Sequence, residues 1–128
     1  MSSKMARPLP PDVYAFTHYV REHGGWSQAT NLVATFLQRD SAYTLPEPDL
    51  RTLGDIALED KRNADGIAVF KVGALLHPTS AEAMEALGEA YATANDTALA
   101  ITTFKQSLAL DSTQGNAAYW LSRMTNAK

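Results

Sequence analysis

The chain has 128 residues, no cysteine, 45% apolar and 20% charged residues, and a formal net charge of −3. This composition predicts one soluble globular domain and excludes a disordered or fibrous chain, disulfides and sulfur-ligated zinc sites. The weak negative charge gives no electrostatic reason to expect nucleic acid. No stretch has the roughly 18 apolar residues that a membrane span needs, and the N-terminus lacks a signal-peptide core, so we expect a cytoplasmic protein.

We predict that the chain begins with a flexible segment, residues 1–11. An irregular pair of helices is expected to follow over residues 12–46. Phe36 lies 34 residues before Phe70, which is the length of the repeat described below, and this distance predicts a first helix from about Asp12 to Glu22 and a second over residues 27–38. Gly24-Gly25 predicts the turn between them, because glycine adopts the backbone conformations of tight turns. Trp26 follows this turn and is expected to pack in the core.

Residues 47–80 and 81–114 carry the clearest signal, a repeat of 34 residues. Their gap-free alignment has 8 identical positions, and the apolar residues of each unit recur at three- and four-residue steps. This spacing predicts two amphipathic helices in each unit. The identical pairs are Leu53/Leu87, Gly54/Gly88, Ala64/Ala98, Ile67/Ile101, Phe70/Phe104, Lys71/Lys105, Leu76/Leu110 and Thr79/Thr113.

Polar residues and proline predict where these helices end. Asn and Asp in the segments 61–65 and 94–97 suit left-handed backbone and helix caps. Pro78 cannot continue a helix, so one unit is expected to end there. Thr79 and Glu82 then predict a capping box at the start of the next helix.

Residues 115–128 predict one more helix, which covers the last pair. The total is therefore seven helices, three pairs and a C-terminal capping helix, in one all-α domain. Trp120 lies on an apolar stripe of this helix with Ala117, Leu121 and Met124. Two alternatives remain open for it, a half-buried residue of the cap or a contact in a homodimer.

The repeat resembles the tetratricopeptide repeat (TPR) family. The resemblance implies a helical solenoid that binds proteins, and it implies that Gly54 and Gly88 allow the helices of a pair to approach closely. The residues that carry it are Leu53, Gly54, Ala57, Ile67, Ala68, Phe70, Pro78, Met84, Leu87, Gly88, Tyr91, Ala100, Phe104 and Leu108.

The segments Ala42 to Gly54, Leu87 to Tyr91 and Ala98 to Ile101 are also similar to the repeat tails of bacterial beta-lactamase-like serine hydrolases. That similarity implies bacterial origin. The sequence contains no Ser-x-x-Lys or Gly-x-Ser-x-Gly motif, so none of the hydrolase chemistry is expected here. His18 and His23 lie five residues apart, which points them to different helix faces, and His77 lies in a turn. We therefore expect neither an enzyme nor a cofactor or metal.

The family resemblance also implies that the first helix of each pair lines a concave groove. The side chains that would point into it are Tyr14, Thr17, Arg21, Arg51, Asp55, Leu58, Glu59, Glu82, Glu85, Glu89, Thr93, Asn116, Tyr119 and Arg123.

Function is expected to depend on the acidic middle of this groove. Glu82, Glu85 and Glu89 share one helical face, which favours a basic peptide and, less so, a divalent cation. A solvated face without any ligand is the alternative. Family members that hold an acidic C-terminal tail use Lys and Asn where this chain has Arg51, Asp55 and Glu82. We therefore expect a basic or mixed-charge partner rather than an acidic one. The predicted protein-binding residues are Arg51, Asp55, Glu82, Glu85, Glu89, Tyr119 and Arg123, and the alternative function is self-association through the Trp120 end.

Overall fold

The structure, a computed structural model, describes residues 11–39 and 44–126. Within these ranges it contains seven α-helices and no strand, which confirms the predicted all-α fold. The flexible segment predicted for residues 1–11 lies, up to residue 10, outside the described part of the chain. No helix among the described residues is long and apolar enough to cross a membrane. The helices are α1 (Pro11–Glu22), α2 (Ala29–Arg39), α3 (Glu47–Glu59), α4 (Asn63–Leu76), α5 (Ala81–Thr93), α6 (Thr97–Leu110) and α7 (Gly115–Asn126).

The helices pack in the order in which they occur along the chain. The pairs α3/α4 and α5/α6 have the most extensive interfaces, and α5 also packs against α4 as α7 does against α6. Alternate helices form a row, because α3 contacts both α1 and α5, and α5 contacts α7. This stacking of successive pairs is consistent with the predicted helical solenoid.

The turns inside the two clear repeats have the same backbone geometry. The amide of Arg62 donates to the carbonyl of Ala57 at 2.8 Å, and the amide of Asp96 donates to that of Tyr91 at 2.9 Å. The residue before each donor is left-handed, with φ of 66° at Lys61 and 64° at Asn95. The 34-residue period of the sequence is therefore also a period of the backbone.

The irregular first pair differs from the others by a short insertion. Its turn is closed by the amide of Gly25, which donates to the carbonyl of Val20 at 2.9 Å. Val20 thus takes the place of Ala57, 37 residues later, whereas Phe36 precedes Phe70 by 34. The three extra residues form the 3₁₀ turn Trp26–Gln28, where a continuous second helix from residue 27 was predicted. This turn explains why the period weakens upstream.

Two predicted helix caps are wrong. The hydroxyl of Ser80, not Thr79, accepts from the amide of Ala83 at 3.0 Å, since Pro78 and Thr79 form a turn and α5 begins one residue later. No side chain caps the start of α4, where Asn63 is the first helical residue and its buried Oδ1 has no hydrogen-bond partner. The predicted cap at α6 is confirmed, because Asp96 accepts from the amide of Leu99 at 3.4 Å.

The core follows the repeating aromatic residues. Phe36, Phe70 and Phe104 are all buried, and burial of such a side chain stabilises the fold by roughly 1.5 to 3 kcal/mol. Trp26 is also buried, edge-on to Phe16 with ring centroids 5.9 Å apart, so its predicted packing role is confirmed.

Two glycines set the distance between paired helices, as expected. A Cβ added at Gly54 would lie 2.5 Å from Cζ of Phe70, and one at Gly88 would lie 2.7 Å from the ring of Phe104. No real side chain tolerates such distances, so the aromatic ring of the second helix rests directly on the backbone of the first. This contact fixes α3 and α5 in the same orientation within their pairs.

Candidate functional site

The row formed by α3 and α5 brings together most of the predicted binding residues. Arg51 and Asp55 lie one turn apart on α3, with Nε of Arg51 3.3 Å from Oδ2 of Asp55. Nη2 of Arg51 lies 3.4 Å from Oε1 of Glu89 on α5. Both distances are longer than a strong charge-assisted hydrogen bond, and the Arg51 and Asp55 side chains are each 41% exposed. Such pairs contribute at most about 1 kcal/mol each.

Glu85 lies beside this ion pair but is not a surface residue. It is only 5% exposed, and its Oε2 is buried without a hydrogen-bond partner among the described residues. Both the alternative of a solvated acidic face and the predicted position of Glu85 in an open groove are therefore wrong, because α5 turns this side chain toward the body of the stack. A buried carboxylate oxygen without a donor costs roughly 1 to 3 kcal/mol or more.

The surroundings of Glu89 raise the pKa of its carboxyl group. Burial raises the pKa of Glu89 above its ordinary value, and the carboxylates of Glu85 and Asp55 raise it further. The guanidinium of Arg51 acts in the opposite direction, but the net pKa shift is upward. We call Asp55, Glu82, Glu85 and Glu89 the acidic cluster. The one positive charge of Arg51 does not balance the four negative charges of these residues.

Glu82 is exposed at the N-terminal end of α5 and faces a residue that the sequence did not single out. Glu47, the first residue of α3, accepts a hydrogen bond from the hydroxyl of Ser80 at 2.9 Å. Glu82 lies 3.4 Å from the same hydroxyl. The two carboxylates thus lie on either side of the α5 cap, which extends the acidic surface toward the start of α3.

A cavity of about 150 Å³ opens between these carboxylates, at the junction of α3, α4 and α5. Its floor is apolar and buried, whereas Pro48 and Glu82 at its edge are exposed. Neither the cavity nor Glu47 was predicted. The residues that line it are Glu47, Pro48, Leu50, Arg51, Phe70, Gly73, Glu82, Ala83 and Ala86.

Tyr119 and Arg123 form a separate cluster on α7. Tyr119 is 55% exposed, and the guanidinium carbon of Arg123 lies 5.5 Å from the centroid of its ring. Trp120 turns the other way and stacks on Phe104, with centroids 6.3 Å apart and the rings nearly parallel. It is half-buried against the core, as expected for a residue of the capping helix.

Thr17, among the predicted groove residues, lies elsewhere. It is buried, and its hydroxyl donates to the carbonyl of Val13 at 2.8 Å, so its placement in a groove is wrong. The three-residue offset of the first pair is the reason, since positions counted back by 34 fall on another face of α1.

The histidines have ordinary structural contacts. His18 pairs with Glu22 at 3.2 Å, Nδ1 of His23 donates to the carbonyl oxygen of Tyr19 at 2.7 Å, and Nε2 of His77 lies 3.2 Å from the carbonyl oxygen of Leu45. Among the described residues, no group of three or more His, Asp or Glu side chains is placed to hold a metal ion.

Comparisons with known proteins add no relative. A scan of protein-family models finds none that matches the sequence, and a search of curated proteins finds no significant match.

Proposed function

We propose that the chain is a non-enzymatic protein-binding module of the tetratricopeptide type, which binds a basic peptide segment of another protein on the α3–α5 face. The observation that carries this proposal is the acidic cluster, in which the carboxylates of Asp55 and Glu89 are partly exposed and lie 3.3 and 3.4 Å from Arg51. The predicted bacterial origin and cytoplasmic location belong to the same proposal and rest on sequence alone.

A lysine or arginine from a partner supplies what the cluster lacks. Its N–H groups would donate to the partly exposed carboxylates of Asp55 and Glu89. Burial is the main cause of the raised pKa of Glu89, and the positive charge of the partner would offset the smaller contribution of repulsion by Glu85 and Asp55. The weak contacts of Arg51 with Asp55 and Glu89 leave these carboxylates free to exchange partners. An acidic segment would be repelled by the same charges, so the partner is basic.

The repeating glycine–aromatic contacts and turns support the family assignment within this proposal. They are produced by the residues on which the resemblance depends, namely Gly54, Phe70, Gly88 and Phe104. Helix pairs held in this way present a row of first helices, and such rows form extended binding surfaces in repeat proteins. Tyr119 and Arg123 on α7 would continue the surface.

The test is an NMR titration with two short synthetic peptides, acetyl-Lys-Lys-Ala-Lys-Lys-amide and its glutamate counterpart. We expect the lysine peptide to bind and to shift signals of α3 and α5, and the glutamate peptide not to bind. The double variant Asp55→Asn with Glu89→Gln should weaken binding of the lysine peptide by about tenfold or more, since two charged partners are lost.

The matched control removes two carboxylates elsewhere, with Glu22→Gln and Asp65→Asn, and changes the net charge equally. Glu22 and Asp65 lie in ion pairs on α1 and α4. If the control weakens binding as much as the cluster variant, attraction is due to overall charge and the proposed site is wrong. Absence of any binding of the lysine peptide to the wild-type protein would also reject it.

A further inference from the structure

The cavity beside the acidic cluster exists because one repeat lacks a side chain that the next repeat has. In the second clear repeat Ser107 is fully buried, and its hydroxyl donates to the carbonyl of Ala81 at 2.8 Å. The equivalent residue in the first, 34 positions earlier, is Gly73. A Cβ added at Gly73 would meet only Cδ1 of Leu50, at 4.0 Å, so the space stays open.

The lining of this cavity combines an apolar floor with a charged edge. Leu50, Phe70 and Ala83 are buried and supply the floor. Glu47 and Glu82 lie at the edge, next to the Ser80 hydroxyl that contacts both. The cavity therefore has apolar surface inside and negative charge at its mouth.

The volume of about 150 Å³ suits one apolar side chain. Cavities of this size lined by Leu, Ile and Phe hold a molecule as large as benzene. A medium-sized side chain such as leucine would lose its contact with water there, which favours binding in proportion to the apolar area that is buried.

We infer, on the basis of the peptide binding proposed above, that this cavity is an anchor pocket for an apolar side chain flanked by basic residues in the partner segment. The apolar group fills the space left by Gly73, and the flanking lysine or arginine side chains reach Glu82 and Glu47 at the edge and the acidic cluster beyond. Charge complementarity selects a basic segment over a second copy of this chain, which has a net charge of −3.

The inference is tested with peptides that differ only at the central residue, acetyl-Lys-Lys-Leu-Lys-Lys-amide and the alanine peptide used above. The full-length protein carries ¹³C-labelled alanine methyl groups, which include Ala83 at the pocket. We expect the leucine peptide to bind about tenfold tighter than the alanine peptide, because of the additional apolar carbons that it buries. It should also shift the methyl signal of Ala83.

The variant Gly73→Met fills the pocket with an unbranched, flexible side chain. It should reduce the preference for leucine over alanine to less than about twofold, because the leucine side chain no longer enters the pocket. Gly73→Ser, which copies the residue of the next repeat, is a smaller change and should reduce the preference in part. Circular dichroism confirms that both variants fold.

The outcomes separate this inference from the proposed function. If lysine peptides bind but leucine gives no advantage, or if the advantage survives in both Gly73 variants, the anchor pocket is wrong and the acidic binding site stands. If neither lysine peptide binds, both proposals fail. A leucine preference without a shift of Ala83 places the apolar contact elsewhere and also overturns the pocket.

Discussion

Among single residues, Gly54 and Gly73 both lie in buried parts of helices, but a side chain would meet different surroundings at each. At Gly54 the ring of Phe70 already occupies the place of a Cβ, at 2.5 Å. At Gly73 the nearest atom is 4.0 Å away. Glycine in a helix costs about 1 kcal/mol relative to alanine. Packing requires glycine at position 54 in spite of this cost, whereas it does not require glycine at position 73.

Gly54→Ala and Gly88→Ala should therefore destabilise the protein, and Gly73→Ala should not. We expect each of the first two to lower the free energy of unfolding by about 1 to 2 kcal/mol, since overpacking outweighs the gain in helix propensity. Gly73→Ala should raise it by about 0.5 to 1 kcal/mol. Urea unfolding followed by circular dichroism measures all three, and equal effects at the three positions would contradict the packing role.

The carboxyl of Glu89 should make stability depend on pH in an unusual direction. Its pKa is raised in the folded protein, so between the unfolded and folded pKa values the folded state binds more protons. The contribution of Glu89 to stability is therefore largest at acid pH and falls as pH rises through this window. Most paired carboxylates have the opposite effect.

Glu89→Gln removes this dependence. The stability of the variant relative to the wild-type protein should increase as pH rises from about 4 to 7. Urea unfolding at several pH values gives the difference, with Glu22→Gln as a control on the surface of α1. A constant difference across this range would show that the pKa of Glu89 does not change on folding.

Among the helices, the N-terminus of α5 shows how one residue can form a helix cap and also link two helix pairs. Ser80 has extended backbone, with φ −87° and ψ 114°, and accepts from the amide of Ala83. Its hydroxyl also donates to Glu47 on α3 at 2.9 Å. One side chain thus satisfies a helix terminus and links two successive pairs, which a cap at Thr79 would not do.

Ser80→Ala should lower the free energy of unfolding by about 1 kcal/mol or somewhat more, the usual cost of a lost N-cap. Thr79→Ala, one residue earlier and exposed, should change it by less than about 0.5 kcal/mol. Thermal and urea unfolding compare the two variants. A larger effect at Thr79 would restore the capping box that the sequence predicts.

For the whole molecule, α7 decides how the stack of pairs ends. It packs on both α5 and α6, and Trp120 stacks on Phe104 of the last pair. The apolar face of that pair is thereby covered within the chain. This arrangement favours the capping role of Trp120 over the homodimer contact that remained open from the sequence.

Trp120→Ala should lower the free energy of unfolding by about 2 kcal/mol, less than for a fully buried tryptophan because the ring is half-buried. Tyr119→Ala, at an exposed neighbour, should have an effect of less than about 0.5 kcal/mol. Light scattering at high micromolar concentration should give a monomer for the wild-type protein and both variants. A wild-type dimer that Trp120→Ala dissociates would support self-association instead.

The sequence by itself determined the seven helices, the turns of the clear repeats and the buried aromatic residues. These features depend on spacing along the chain, since helical periodicity and turn residues act over a few positions and repeat every 34 residues. It also placed Arg51, Asp55 and Glu89 on neighbouring helices, because equivalent positions of stacked repeats come together.

Only the tertiary structure decided how deeply these residues are buried and which side chains they contact. The burial of Glu85, the cap by Ser80 and the cavity at Gly73 each depend on side chains from two or three helices that are distant in sequence. The sequence has Gly73 at the position equivalent to Ser107, so the first clear repeat lacks a side chain there. Whether this leaves a cavity depends on how α3, α4 and α5 pack against each other. Side-chain burial and cavity volume depend on how the helices pack against each other. The periodicity of a single chain segment does not determine this packing.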